Sequence, residues 1–133
     1  MTLTRINPPA LHDPTPFGYA HTVFAPASSG FVFVAGQYAS TATGEVPDSA
    51  FDAQLERVLD NLSTALGAHD LDLGHVVQLR TYVVGLDFGA LGALSAAIQQ
   101  RWPDGPPANT VLGVVSLALR DMRIEIDAVA ARP

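Results

Sequence analysis

Cysteine is absent from the 133 residues, and so is lysine. Without a thiol there is no disulfide, no thiolate nucleophile and no Cys-ligated zinc. Without a side-chain amine there is no Schiff base, and no P-loop, whose phosphate grip needs its Lys. All seven basic residues are arginines, at positions 5, 57, 80, 101, 120, 123 and 132. Against them stand ten Asp and only three Glu (Glu45, Glu56 and Glu125), for a net charge of −6. That balance argues against nucleic acid as a partner, because sequence-independent binding rests on cations neutralising phosphates. Long apolar runs are missing as well. Nothing approaches the roughly 20 residues of a membrane span, and the proline-broken start, MTLTRINPPALHDPTPFGYAH, has no signal-peptide core. A soluble, cytoplasmic protein with no membrane partner is expected, and the missing disulfides agree. What is present is apolar: 48% hydrophobic against 15% charged residues supplies a core for one domain, 1–133.

The pattern of that apolar content changes along the chain. Residues 1–18 read as an extended lead-in. Two short runs, His21–Phe24 and Phe31–Gln37, flank a Ser/Gly turn and predict a hairpin. Phe51, Leu55, Val58, Leu59, Leu62, Ala65 and Leu66 fall on one helical face, so a helix is predicted over 49–66, capped by Asp48 or Ser49 and stopped at Gly67. Val76–Val84 alternates as a strand, with Val77, Leu79, Thr81 and Val83 on one face and Val76, Gln78, Arg80, Tyr82 and Val84 on the other. Asp87 caps a second helix whose stripe is Phe88, Leu91, Leu94 and Ile98, ended by PDGPP. Strands at 110–117 and 122–130 complete the chain. In the last, Met122, Ile124, Ile126, Ala128 and Ala130 oppose Arg123, Glu125, Asp127 and Val129.

The order ββαβαββ describes a mixed sheet with two crossover helices on one face. Two helices leave the other face bare, and that face is too apolar to stay fully wet. A homo-oligomer hides it most economically, with a pocket expected where subunits meet.

Few residues are placed for chemistry. None of the four histidines has a carboxylate or second His at metal-ligand spacing, so no metal is expected, and they read as surface or turn residues. His21, two residues after Tyr19, is the one to watch. There is no G-x-S-x-G elbow, and Gly85, Gly89 and Gly92 do not form a dinucleotide fingerprint; no cofactor is expected. Glu125, mid-strand and opposite an aliphatic stripe, has two readings. It pairs with Arg80, or it holds a water or a proton in an interface cleft.

The segments Gly18-Tyr19, FVFVAGQ, TGEVP, QLERVLDNL, TYVV and MRIEIDAVA resemble, in this order, the RidA/YjgF family, also called reactive-intermediate deaminases or L-PSP endoribonuclease-like proteins. The resemblance implies a chorismate-mutase-like α/β fold and a homotrimer, its sheets facing a central barrel and three small-molecule clefts lying between subunits. It implies hydrolysis of 2-imino or enamino acids to 2-oxo acids and ammonia. The family's N-terminal Tyr falls on Tyr19 and its last-strand Glu on Glu125. Its S-G-Q strand falls on Ala35, Gly36 and Gln37, with Ala for Ser. A family Cys position is Val111, and a frequent helix Asn falls at about Gly92. The family's carboxylate-gripping Arg falls on Asn109.

That last change alters the expected ligand. A bidentate Arg–carboxylate contact is charge-assisted, about 1.5–3 kcal/mol per hydrogen bond, and a neutral amide lacks it. Asn109 suits a neutral polar ligand, unless Arg80 leans in as the anion clamp. The expectation is a hydrolytic deaminase of imine-type C–N bonds outside the standard 2-imino acids. The alternative is a trimer that binds a metabolite without turnover. RNA cleavage, suggested by one family name, fits the acidic composition least.

Overall fold

The computed structural model describes all 133 residues. Six strands and two long helices follow the order β1 (Thr4–Ile6), β2 (Thr22–Phe24), β3 (Gly30–Tyr38), α1 (Phe51–Gly67), β4 (Val76–Val84), α2 (Phe88–Arg101), β5 (Ala108–Val114) and β6 (Ile124–Arg132). Short 3₁₀ turns occupy Thr15–Phe17 and Leu73–His75. Strands β3 to β6 form one mixed sheet in the order β3-β6-β4-β5. The β4–β5 pair is parallel, as a crossover through α2 requires, and β6 runs antiparallel between β3 and β4. The expected mixed α+β architecture is present, and no helix is long and apolar enough to cross a membrane.

The predicted hairpin is not formed. β2 pairs antiparallel with β1, Thr4 opposite Phe24 and Ile6 opposite Thr22, in a separate two-stranded sheet. The prolines are the reason: instead of keeping the lead-in extended they turn it round, through a Pro8 carbonyl accepting from Leu11 N–H and the 3₁₀ turn behind Pro14. The Thr22 hydroxyl then donates to the Ile6 carbonyl at 2.6 Å.

Both helices lie on the face of the sheet that carries Leu79, Val83, Ile124, Ile126, Ala128 and Ala130, in one core with Leu55, Val58, Leu59, Leu62, Leu94, Ile98 and Trp102. Burying the Leu, Ile and Val side chains among these contributes about 1.5–3 kcal/mol each, which is what holds the helices down. Four details depart from expectation. Asp48 and Ser49 do not cap α1, whose N-cap is Ala50; the Asp48 carboxylate binds Arg57 instead, at 2.9 Å. Gly67 stays helical, and the left-handed residue beyond the helix is Asp70, at φ 57°. A bulge between Val76 and Gln78 reverses the first residues of β4, burying Val76 in the core and leaving Val77 half-buried. The stripe of α2 is Leu94, Ala97 and Ile98; Phe88, in the first turn, is 92% exposed.

The second face of the sheet is bare in the single chain. Phe31, Phe33 and Leu112 are exposed on it beside Arg80, Tyr82, Glu125, Asp127 and Val129.

Candidate functional site

The lead-in is what builds a cleft on this fold. Its 3₁₀ turn ends at Gly18, whose φ of 75° favours glycine and whose missing Cβ would lie 2.9 Å from the Ser95 carbonyl on α2. Close approach is locked by the Ser95 hydroxyl, which donates to the Pro16 carbonyl at 3.0 Å. Ala20 then bridges to Ala108, its N–H donating to the Pro107 carbonyl at 3.1 Å. Tyr19 is thereby held at the head of β5. Between the lead-in, α2 and β5 lies a cleft of about 550 Å³ lined by His12, Phe17, Tyr19, Leu91, Leu94, Asn109, Thr110 and Val111.

Two features give the cleft its chemistry. Asn109 stands beside Leu79 on the helix-covered side of the sheet. The buried Thr81 hydroxyl donates to its Oδ1 at 3.0 Å. With its oxygen engaged, Asn109 presents its NH₂ group, which has no protein partner, as a hydrogen-bond donor. His12 supplies the second feature. Its Nε2 is hydrogen-bonded to the Tyr19 hydroxyl, and its backbone carbonyl accepts from His21 Nε2 at 2.8 Å. The His12 ring meets Phe17, Tyr19 and His21 edge-on. The sequence pattern marks His12 only as a surface or turn histidine. Its position was legible only through Pro14 and Pro16, which fold the segment between it and Tyr19 back on itself.

Glu125 occupies the other face of the sheet. It aligns with Tyr82, whereas Asn109 aligns with Leu79, and strand alternation sends the two to opposite sides. One chain therefore brings Tyr19, Asn109 and Val111 together but not Glu125. Ala35, Gly36 and Gln37 accompany Glu125. A bulge in β3 sets Gly36 against it so closely that a Cβ there would come 2.0 Å from Oε1, and Gln37 Nε2 turns back to the Ala35 carbonyl at 3.0 Å.

Arg80 neither pairs with Glu125 nor reaches the cleft. Register places it directly across from Asp127, to which its Nε donates at 2.9 Å, on the bare face. That hydrogen bond and the charge behind it hold the guanidinium above its ordinary value. Tyr82 donates to the other Asp127 oxygen at 3.2 Å, and its phenol is pushed up by burial first and by Asp127 second. Gly92 borders a smaller hollow next to Phe17 and Phe88 rather than the cleft itself. A larger hollow of about 640 Å³ lies between β1 and the end of α2. Its Arg101 is engaged by Glu56 at 2.6 Å and Asp60 at 2.9 Å, and its Arg5 Nε by the Pro106 carbonyl at 2.7 Å.

The chain is similar to known proteins over nearly its whole length. The sequence model described as Endoribonuclease L-PSP matches residues 14–132. YyfB of Yersinia pestis, a structure assigned to the conserved Rid protein family, is 37% identical, with a TM-score of 0.92 over 98% of this chain and 99% of that one. The YjgF gene product of E. coli is 29% identical, with a TM-score of 0.67 over 83% of this chain and 85% of that one. Protein DfrA of Myxococcus xanthus is 33% identical over 99 residues, 74% of this chain and 73% of its own.

Proposed function

The chain belongs to the RidA/YjgF family, the endoribonuclease L-PSP proteins, and from that premise we propose that it is a homotrimer whose interface clefts hydrolyse small, uncharged imines or enamines. The observation that carries this reading is the division of the candidate residues between two faces. A proton donor and an amide lie in a cleft on one side, and a carboxylate lies on the bare, apolar side that a second copy would cover. A closed ring of copies turns one face of each protomer toward its neighbour, so that Glu125 of one completes the cleft of the next.

The chemistry then has a place for each proton. Water adds to the imine carbon while Glu125 takes its proton and the Tyr19 hydroxyl gives one to the nitrogen, leaving a carbinolamine. The C–N bond then breaks, the nitrogen leaves as ammonia with the proton from Glu125, and the carbinolamine hydroxyl returns its own proton to Tyr19 as the carbonyl forms. Such positioned proton transfers supply about 10²–10⁴-fold each. Asn109, a donor without charge, favours the neutral substrate over the 2-imino acid.

The test is ammonia release above the spontaneous rate at pH 8. The uncharged imine comes from benzylamine and an amine oxidase; a 2-imino acid from an amino-acid oxidase serves for comparison. The uncharged imine is expected to turn over faster, and Glu125→Ala to return its rate about 10²-fold or more toward background. A wild-type rate equal to that of Glu125→Ala contradicts the reading.

A further inference from the structure

We infer that the cleft continues into an apolar subsite over α2, and that the molecule it takes carries a ring-sized apolar arm reaching past Phe17 toward Phe88. The inference rests on the cleft's binding a small, uncharged molecule, as proposed above, and names what else that molecule bears.

Two side chains join the spaces. Phe17 and Leu91 line both the cleft of about 550 Å³ and a hollow of about 510 Å³ beside it. The hollow runs along α2 between two rows of side chains four residues apart, one of Phe88, Gly92 and Ala96, the other of Leu91, Ser95 and Gln99. Small residues in the middle of both rows deepen the groove between them. Nothing in the backbone calls for glycine at 92. Its φ is not left-handed, and its absent Cβ has nothing within 4 Å, so neither a turn nor close packing accounts for it. A glycine inside a helix costs stability relative to alanine. What Gly92 supplies is room.

The lining also states what the arm is made of. Phe88 is 92% and Phe17 63% exposed, so two of the rings that bound this room stand largely in water, and an apolar arm seated against them removes that area from solvent. No residue lining the hollow is ionisable. The Ser95 hydroxyl donates to the Pro16 carbonyl and Gln99 Nε2 to Ser95 Oγ, each at 3.0 Å, which turns these polar groups toward one another. A charged arm finds no ionic partner there. Every lining residue comes from the lead-in or from α2, and none from the sheet. The subsite is therefore built within one chain, and it selects by apolar contact whatever charge Glu125 of the next copy brings to the cleft. For the proposed reaction, the substrate is an imine whose carbon bears an aryl group on a short methylene spacer.

Calorimetric binding of primary amides tests this, the amide oxygen offering an acceptor to the Asn109 NH₂ group. Phenylalkanamides with one to five methylenes between ring and amide are compared with ring-free alkanamides of equal chain length. At one spacer length or more the ring is expected to tighten binding at least about ten-fold, as burial of a phenyl ring against apolar side chains implies. Phe88→Ser removes a side chain that is already in solvent, and Gly92→Trp fills the groove. Each is expected to erase the gain from the ring and to leave the ring-free amides unchanged. The inference is overturned by a ring that adds nothing at any length, by a gain that survives either variant, or by binding of no amide. Ammonia release from the benzylamine imine is read separately. A protein that releases ammonia but shows no gain from the ring keeps the hydrolytic reading and loses the subsite, and one that shows the gain without releasing ammonia does the reverse.

Discussion

At the scale of single residues, Gly36 and Glu125 are one unit. The carboxylate lies where any side chain at 36 would stand, with the absent Cβ 2.0 Å from Oε1, 2.7 Å from Cδ and 2.9 Å from Cγ. Its neighbour is the far end of a flexible side chain, so an added methyl displaces the acid more cheaply than it strains the backbone. Gly36→Ala is expected to change stability by less than about 1 kcal/mol by denaturant titration, while ammonia release falls to that of Glu125→Ala. A stable variant with full activity would separate Glu125 from the chemistry. The same scale shows where sequence patterns fall short. Alternation placed Arg80 and Glu125 on one face correctly, but their partners depend on register, which puts Asp127 and not Glu125 across from Arg80. Register comes from β6 pairing on both of its edges, and one strand's own pattern does not contain it.

Among elements, α1 is tied to the loop before β6 by Gln54, a polar residue with no exposed surface. Its amide nitrogen donates to the Asp48 and Asp121 carbonyls, each at 2.8 Å, and its oxygen accepts from Arg123 N–H at 2.8 Å. Gln54→Leu leaves these three backbone groups without that partner. It should cost about 2–4 kcal/mol, since a buried polar group left unpaired costs about 1–3. A midpoint in thermal unfolding lower by roughly 5–15 °C is the matching observation; an unchanged midpoint would mean water replaces the amide. Helices and strands with a strong period were legible: α1 and the inward face of β6 fall where their apolar spacing predicts, and α2 does so from Leu94 onward. Phe88 was misplaced on the apolar stripe because spacing describes a helix face and not how far along it the sheet extends. Gln54 and Thr81 gave no signal, since a lone polar residue on an apolar face takes its meaning from groups distant in sequence.

For the whole molecule, the bare face is the dominant fact. Phe33 is 77% and Phe31 56% exposed, on the side of the sheet that also holds Glu125. The amino-acid pattern alone indicated this half-covered sheet, because two crossover helices cannot cover both faces of it. What was not legible is that the faces divide the candidate residues as well, Tyr19 and Asn109 on one and Glu125 on the other. That follows from the bridge of Ala20 to Ala108, which carries the lead-in round to β5, and prolines in a sequence show a turn without showing its destination.

The central claim is that each cleft draws Tyr19 and Glu125 from different copies, and one measurement addresses it. Tyr19→Phe and Glu125→Ala are each expressed alone, as inactive controls, and then co-expressed, and ammonia release from the benzylamine imine is read on the purified protein. Random mixing gives each interface one chance in four of uniting an intact Tyr19 with an intact Glu125, so the mixed protein should recover about a quarter of wild-type turnover. A mixed protein no more active than either parent would contradict the account.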